Sequence, residues 1–238
     1  MSRPTDPSLD IAHLAHVEML TDRCDESLDS FTRVYGLKLS CQDESSACLR
    51  AWDEYEVHAL KLTRAATTGI GHVGYRVDSP EALERRVAAI EASGCRSYGR
   101  VEDDMGHGRA YRFEFPFGHL FEIGWDTMRY LPAAADAPAL KNNASHYHAR
   151  GVAPRRIDRV TLLGEDVSAS RAFVEAAPDN RVKECIQFDN VRPGGVWFTC
   201  NNKTCPVPSN AGATDAGAGL GAGLLDRGGP REGAGLGG

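Results

Sequence analysis

Three stretches decide the fold: AHVEMLTDRCDESLDSFTRV (15–34), GHVGYRVDSPEALERRVAAI (71–90) and DRVTLLGEDVSASRAFVEAA (158–177). Each opens with a short strand-like run, passes an acidic or polar break and enters a segment with apolar residues at helical spacing. In the first, Leu28, Phe31 and Tyr35 lie at i, i+3 and i+7, and Gly36 follows as a C-cap. In the second, Ser79 suits the N-cap and Pro80 the first helical position, and Leu83, Val87 and Ile90 form one face before Gly94. Alternating runs after each helix predict strands at 48–52 and 58–62 in the first unit, and at 110–115 and 120–125 in the second. Pro116-Phe117-Gly118 predicts the turn of a hairpin. The unit is therefore β-α-β-β-β. One unit cannot bury both its sheet and its helix, but two side by side can curl into a cup with helices outside. The expected class is α+β, with paired units forming a curled mixed sheet and an incomplete second domain.

The expected organisation is a complete first domain of two units at 8–126, a linker at 127–156, a partial second domain at 157–209 and a disordered Gly-rich tail at 210–238. The linker rests on Pro132, Pro138 and Pro154 and a run of alanines. The tail has 11 glycines in its last 28 residues and offers almost no apolar surface to offset ordering entropy. The whole chain has 238 residues, 42% of them hydrophobic and 25% charged, as in ordinary globular proteins. Its net charge of −6 argues against broad nucleic-acid or anionic-membrane binding. No apolar run approaches the roughly 18 residues of a membrane span, and the first residues lack a secretory pattern. Seven scattered cysteines without a CxxC pair predict free thiols and a reducing cytoplasm.

His16 and His72 occupy the same place in the first strands of the two units, and Glu122 lies in the last strand of the second. Two imidazoles and a carboxylate on three strands are the ingredients of a facial triad for Fe(II), Mn(II) or another divalent metal. The same residues can equally be strand positions facing solvent or a satisfied core, because spacing does not fix which way a strand residue points.

Beyond the repeats, LAHVEMLT (14–21), VYGLKL (34–39), LRAWDEYEVHALKLTRA (49–65), GHGRAYRFEFPFGHLFEIGWD (106–126) and GVAPRRIDRVTLL (151–163) carry a resemblance. Together with 71–94 they resemble the vicinal oxygen chelate superfamily, and within it the extradiol dioxygenases of the catechol 2,3-dioxygenase type. The resemblance implies four β-α-β-β-β units in two domains, Fe(II) as cofactor, and a small aromatic diol and O2 as partners in ring cleavage. It places the working iron in the second domain, which makes His16, His72 and Glu122 a vestigial site. Self-association of the chain stays open.

The departures from that family pattern fall in the second domain. Where the family carries its first iron-ligating histidine, this chain has Arg159, which offers no lone pair. Cys205 falls where the family carries an acid/base histidine. The resemblance stops after Asn210, before the fourth unit with its remaining ligands, and the tail composition resembles an out-of-frame reading of a GC-rich gene. Two functional readings follow. One is an extradiol dioxygenase relative that is inactive or impaired. The other is a metal- or small-ligand-binding protein using the cup of His16, His72 and Glu122.

Other residues receive plainer expectations. His146 and His148 are expected in a solvated loop. His107 and His119 flank the hairpin and are expected to face solvent or another domain. Trp52, Tyr55 and His58 are expected to pack on the sheet, and Arg155-Arg156 is too short for a nucleic-acid patch.

Overall fold

A computed structural model describes residues 10–102, 104–178, 180–188, 193–200, 207–211 and 221–224. The first unit contains β1 (Ile11–Thr21), α1 (Cys24–Asp29, continued by one π turn to Val34), β2 (Lys38–Gln42), β3 (Ser46–Arg50) and β4 (Leu60–Arg64). The second contains β5 (Gly69–Val77), α2 (Pro80–Ala92), β6 (Ser97–Val101), β7 (Ala110–Glu114) and β8 (Leu120–Gly124). Both units lie in one eight-stranded sheet of order β2-β3-β4-β1-β5-β8-β7-β6. β1 pairs parallel with β4 and β5 parallel with β8, and the two opening strands meet antiparallel at the centre. Each unit thus repeats the other's strand order about the β1–β5 seam, as α+β pairing requires.

Alternation along these strands separates two faces. Val73, Tyr75 and Val77 of β5 join Phe113, Phe121 and Ile123 in the main core, against Leu83, Val87 and Ile90 of α2. His72, Arg112 and Glu122 fall on the opposite parity and turn into the concave side. Local chemistry fixes the helices. The Ser79 hydroxyl accepts from the Ala82 amide at 3.1 Å, and Asp166 caps α3 (Val167–Ala176) by accepting from Ser168 and Ala169. Gly36 and Gly94 take the left-handed conformation that ends the first two helical segments, at φ of 75° and 72°. In the hairpin turn the Gly118 amide donates to the Phe115 carbonyl at 3.1 Å, with Pro116 and Phe117 as the central pair; Phe117 takes the positive φ that the second central position of a type II turn demands, and Gly118 follows at φ 87°.

The third unit contains β9 (Ile157–Gly164), α3, β10 (Arg181–Gln187), β11 (Pro193–Thr199) and β12 (Val207–Ala211). Its sheet has the order β10-β11-β12-β9-β13, with β13 at Gly221–Leu224. β9 pairs parallel with β12 and antiparallel with β13, as β1 does with β4 and β5. The two sheets share one core. Val160, Leu162 and Phe198 join it, and Phe173 of α3 lies against Phe113 and Phe115.

Residues 221–224 form a strand where disorder is expected; pairing there uses the main chain of a Gly-Ala-Gly-Leu segment and needs no apolar face. The other residues expected in the tail, apart from those of β12, lie outside the described ones. The stretch 127–156 returns over the first unit. Arg155 and Arg156 donate to the buried carboxylate of Asp53 at 2.6 and 2.9 Å, and the Ala144 amide donates to it at 2.9 Å. This bond set accounts for the Arg155-Arg156 pair. Trp52 meets Tyr147, and Tyr55 hydrogen-bonds the Asn142 carbonyl, so both hold this returning segment instead of packing on the sheet. His146 is exposed as expected, while His148 is half-buried. Among the described residues, no helix is long and apolar enough to cross a membrane.

Candidate metal centre

The concave face of the first sheet gathers His16 from β1, His72 from β5 and Glu122 from β8, the three residues singled out by the repeat. Asp104, from the loop between β6 and β7, joins them. All four are buried, and a ligand atom from each lies within 4.8 Å of the others. The Nε2 atoms of His16 and His72 face each other at 2.8 Å. Asp104 Oδ2 is 3.4 Å from His72 Nε2, and the Glu122 carboxylate is 4.0 Å from both imidazoles.

Glycines make this convergence possible. His16 lies opposite Gly74 across the β1–β5 ladder. A Cβ at Gly74 would sit 2.1 Å from Cε1 of the His16 ring. A Cβ at Gly71 would fall 2.2 Å from the Glu18 carboxylate. The sequence Gly71-His72-Val73-Gly74 therefore clears space on both sides of its own histidine.

Glu18 fixes the His72 tautomer. Its Oε2 lies 2.8 Å from His72 Nδ1. Burial works against the Glu18 carboxylate, but hydrogen bonds from His72 and Thr63 outweigh it and hold its pKa at about 2. An ionised carboxylate only accepts, so His72 Nδ1 is the donor and, in the neutral ring, Nε2 presents a lone pair to the cup. A carboxylate orienting an imidazole from behind is the usual outer support of a metal-ligating histidine. His16 is held well below the ordinary histidine range by burial and then by neighbouring His107, His72, His58 and Lys61. Its Nδ1 is buried without a hydrogen-bond partner among the described residues.

Two cations already address the carboxylates. Arg112 donates to Glu122 Oε2 at 2.6 Å and to Asp104 Oδ2 at 2.9 Å. Lys61 binds the other oxygen of Asp104 and lies 3.4 Å from Glu18. Glu18, Asp104 and Glu122 against Lys61 and Arg112 leave three negative groups to two positive ones. The donor set of two imidazole nitrogens and two carboxylates thus fits a divalent cation in chemistry, and the surplus of one negative charge favours binding a cation.

His107 corrects the sequence reading. It is buried, not facing solvent, because the loop before β7 folds inward; Gly106 takes a φ of 85° there. Its ring stacks on His16 at 4.1 Å. His58, expected in sheet packing, is also buried and meets His107 edge-on at 4.5 Å. His119 is half-buried beside the hairpin turn.

Free volume beside the cup is small. The cavity against His16, Tyr75, His107 and Glu122 measures about 10 Å³, near the space of one water. In the third unit, Arg159 lies opposite Gly223 as His16 lies opposite Gly74. Its guanidinium Nε lies 3.2 Å from Asp158 and offers no lone pair, so this position does not fit a metal. Cys205 lies outside the described residues.

Residues 13–123 match the Glyoxalase/Bleomycin resistance protein/Dioxygenase superfamily. The metapyrocatechase of Geobacillus stearothermophilus is 36% identical over 197 residues, covering 83% of this chain and 60% of that protein. The manganese-dependent 2,3-dihydroxybiphenyl 1,2-dioxygenase of Geobacillus genomosp. 3 is 28% identical over 191 residues, covering 80% and 60%. The anaerobic substrate complex of homoprotocatechuate 2,3-dioxygenase from Brevibacterium fuscum superposes with a TM-score of 0.74 at 26% identity, over 89% of this chain and 63% of that one. The chain belongs to the vicinal oxygen chelate superfamily. Within it, the chain is similar to proteins of the catechol 2,3-dioxygenase type. It spans about 60% of the length of these two curated relatives.

Proposed function

We propose that this chain holds one divalent metal ion in its first-domain cup and does not cleave aromatic diols there at an enzyme's rate. The observation that carries the reading is the burial of His16, His72, Asp104 and Glu122 with their ligand atoms within 4.8 Å of one another. His16 and His72 would supply neutral nitrogens, Glu122 and Asp104 the charge, and Glu18 would hold His72 in its ligating tautomer. When bound, Mn(II) or Fe(II) would supply Lewis acidity and offset the negative charge of the carboxylates.

The size of the cup separates binding from catalysis. Benzene enters an engineered cavity of about 150 Å³; the space beside His16 is about 10 Å³. An aromatic diol does not fit that space unless its lining side chains move. The family's diol and O2 thus remain the partners of a ring-cleaving centre in the second domain, where this chain has Arg159. The free thiols among the described residues suit the cytoplasm as the compartment.

A second reading rests on Arg112 and Lys61, which already pair with Glu122 and Asp104 and can stand in for the lost metal of a vestigial site. Protein stripped with chelator and reloaded with Mn(II) decides between them. A ratio near one ion per chain, lost in His16→Ala, supports the metal reading. Wild type binding no more Mn(II) than a variant with His16, His72 and Glu122 all replaced by alanine overturns it in favour of the vestigial site.

A further inference from the structure

A second group of metal-ligating side chains lies next to the cup, on β2 and β3. Cys41 and Cys48 are directly opposite each other across this antiparallel pair. His58, just before β4, completes the group, and ligand atoms of the three lie within 4.8 Å of one another. We infer that Cys41, Cys48 and His58 form a separate site for a thiophilic divalent cation, Zn(II).

Three observations converge on it. First, His58 is 1% exposed, and its Nδ1 is buried with no hydrogen-bond partner among the described residues. A buried polar nitrogen without a partner costs free energy that a bound cation would recover. Second, the donors are soft: two thiols and an imidazole, with the Met105 thioether 3.7 Å from Cys48 Sγ. Thiolate and imidazole ligands select zinc over the harder cations that suit the carboxylate cup. Third, the scale is right. A tetrahedral zinc with bonds of about 2.3 Å to sulfur and about 2.0 Å to nitrogen separates its ligand atoms by roughly 3.5–3.8 Å. Closing from 4.8 Å to that distance asks only for small side-chain rotations.

The cysteines are free in the structure, Cys48 fully buried and Cys41 partly open to solvent. Burial and the neighbouring Cys41 thiol push the Cys48 thiol up, so without metal no bare charge is buried at Cys48. Zinc binding would release the two thiol protons to solvent, forming two Zn–S bonds and one Zn–N bond with no change of oxidation state. Cys41 offers the way in.

Cobalt(II) distinguishes this site from the cup, since only thiolate ligands give sulfur-to-cobalt charge-transfer absorption. Reduced, chelator-treated full-length protein titrated with Co(II) should develop that near-ultraviolet band until one thiolate site per chain is filled, and Zn(II) should bleach it. Cys41→Ser, at the more exposed position, should abolish the band while leaving the circular dichroism unchanged. His58→Ala should weaken Co(II) binding by about 10-fold or more. Glu122→Gln, which disables the cup, should leave the band in place, so failure of one site does not mimic failure of the other. The inference is overturned if folded wild type shows no band. It is also overturned if the band survives in Cys41→Ser, or if thiol counting finds Cys41 and Cys48 joined as a disulfide under the reducing conditions of the titration.

Discussion

β1 and β9 open equivalent units and occupy equivalent places in their sheets, yet only one of them carries a candidate metal centre. Each has a parallel neighbour closing its own unit and an antiparallel neighbour on the other side. The register matches around the two key residues. His16 of β1 lies opposite Gly74 of β5, and Arg159 of β9 lies opposite Gly223 of β13. Two residues before Gly74 stands His72; two residues before Gly223 stands Gly221. The main chain of the second sheet therefore reproduces the frame of a site whose ligand positions hold arginine and glycine. Backbone pairing and core packing maintain the architecture, while the ability to hold a metal depends on a few side chains that the sheet does not require.

The largest effect expected from this difference is in catalysis. Full-length protein loaded anaerobically with Fe(II) and then given O2 and catechol should show no ring cleavage above background. Arg159→His should remain inactive, because one imidazole opposite Gly223 gains no histidine or carboxylate partner from β13. Ring-opened product at about 1 s⁻¹ or faster from either protein would break the comparison, since that is an ordinary enzyme's turnover.

A smaller effect tests why β1 can bring its histidine in. Gly74→Ala drives a methyl group to 2.1 Å from the His16 ring, which is buried. Overpacking of this sort costs about 1–3 kcal/mol. Gly69→Ala, on the same strand with nothing within 4 Å of the added atom, should stay within about 0.5 kcal/mol of wild type. Urea unfolding of the two variants checks this. Equal stabilities would mean that His16 yields easily and is not held in the cup by its glycine.

Much of this architecture is legible in the sequence. The repeated strand–break–helix pattern places β1, β5 and β9, and Ser79-Pro80 marks the start of α2. The equivalence of His16 and His72 follows from the repeat, and Glu122 from its place in the last strand. Asp104 does not follow from any periodicity, because it stands in a loop whose inward fold depends on closure of the sheet. The same holds for His107. The signal that could have found it is its setting, Gly106-His107-Gly108. A Cβ at Gly108 would meet Asp126 at 2.7 Å, so the loop can lie close only without side chains there. Lys61 and Arg112 have the composition of ordinary solvated strand positions. Only the concave face turns them onto Glu18, Asp104 and Glu122. Cys41 and Cys48 look like scattered thiols until the β2–β3 register sets them opposite each other.

The smallest effect concerns Glu18, the carboxylate behind His72, which has no counterpart to support in the third unit. Its folded pKa of about 2 lies below the unfolded value near 4.5. A carboxyl depressed on folding contributes stability that is fully present above its unfolded pKa and is lost as pH falls through the folded one. Glu18→Gln should therefore be less stable than wild type at about pH 7, and the gap should narrow as pH falls from about 4.5 toward about 2. Asp104 is also held below its ordinary range; burial opposes this, but bonding to Lys61 outweighs it. That contribution is common to both proteins and cancels in their difference. His72, Thr63 and Lys61 all face Glu18, so the glutamine keeps shape and loses charge. Urea midpoints of the two proteins at several pH values measure the gap. A gap that stays constant from neutral pH down to about 3 would mean that Glu18 positions His72 by shape alone, without the ionised carboxylate that fixes the ligating tautomer.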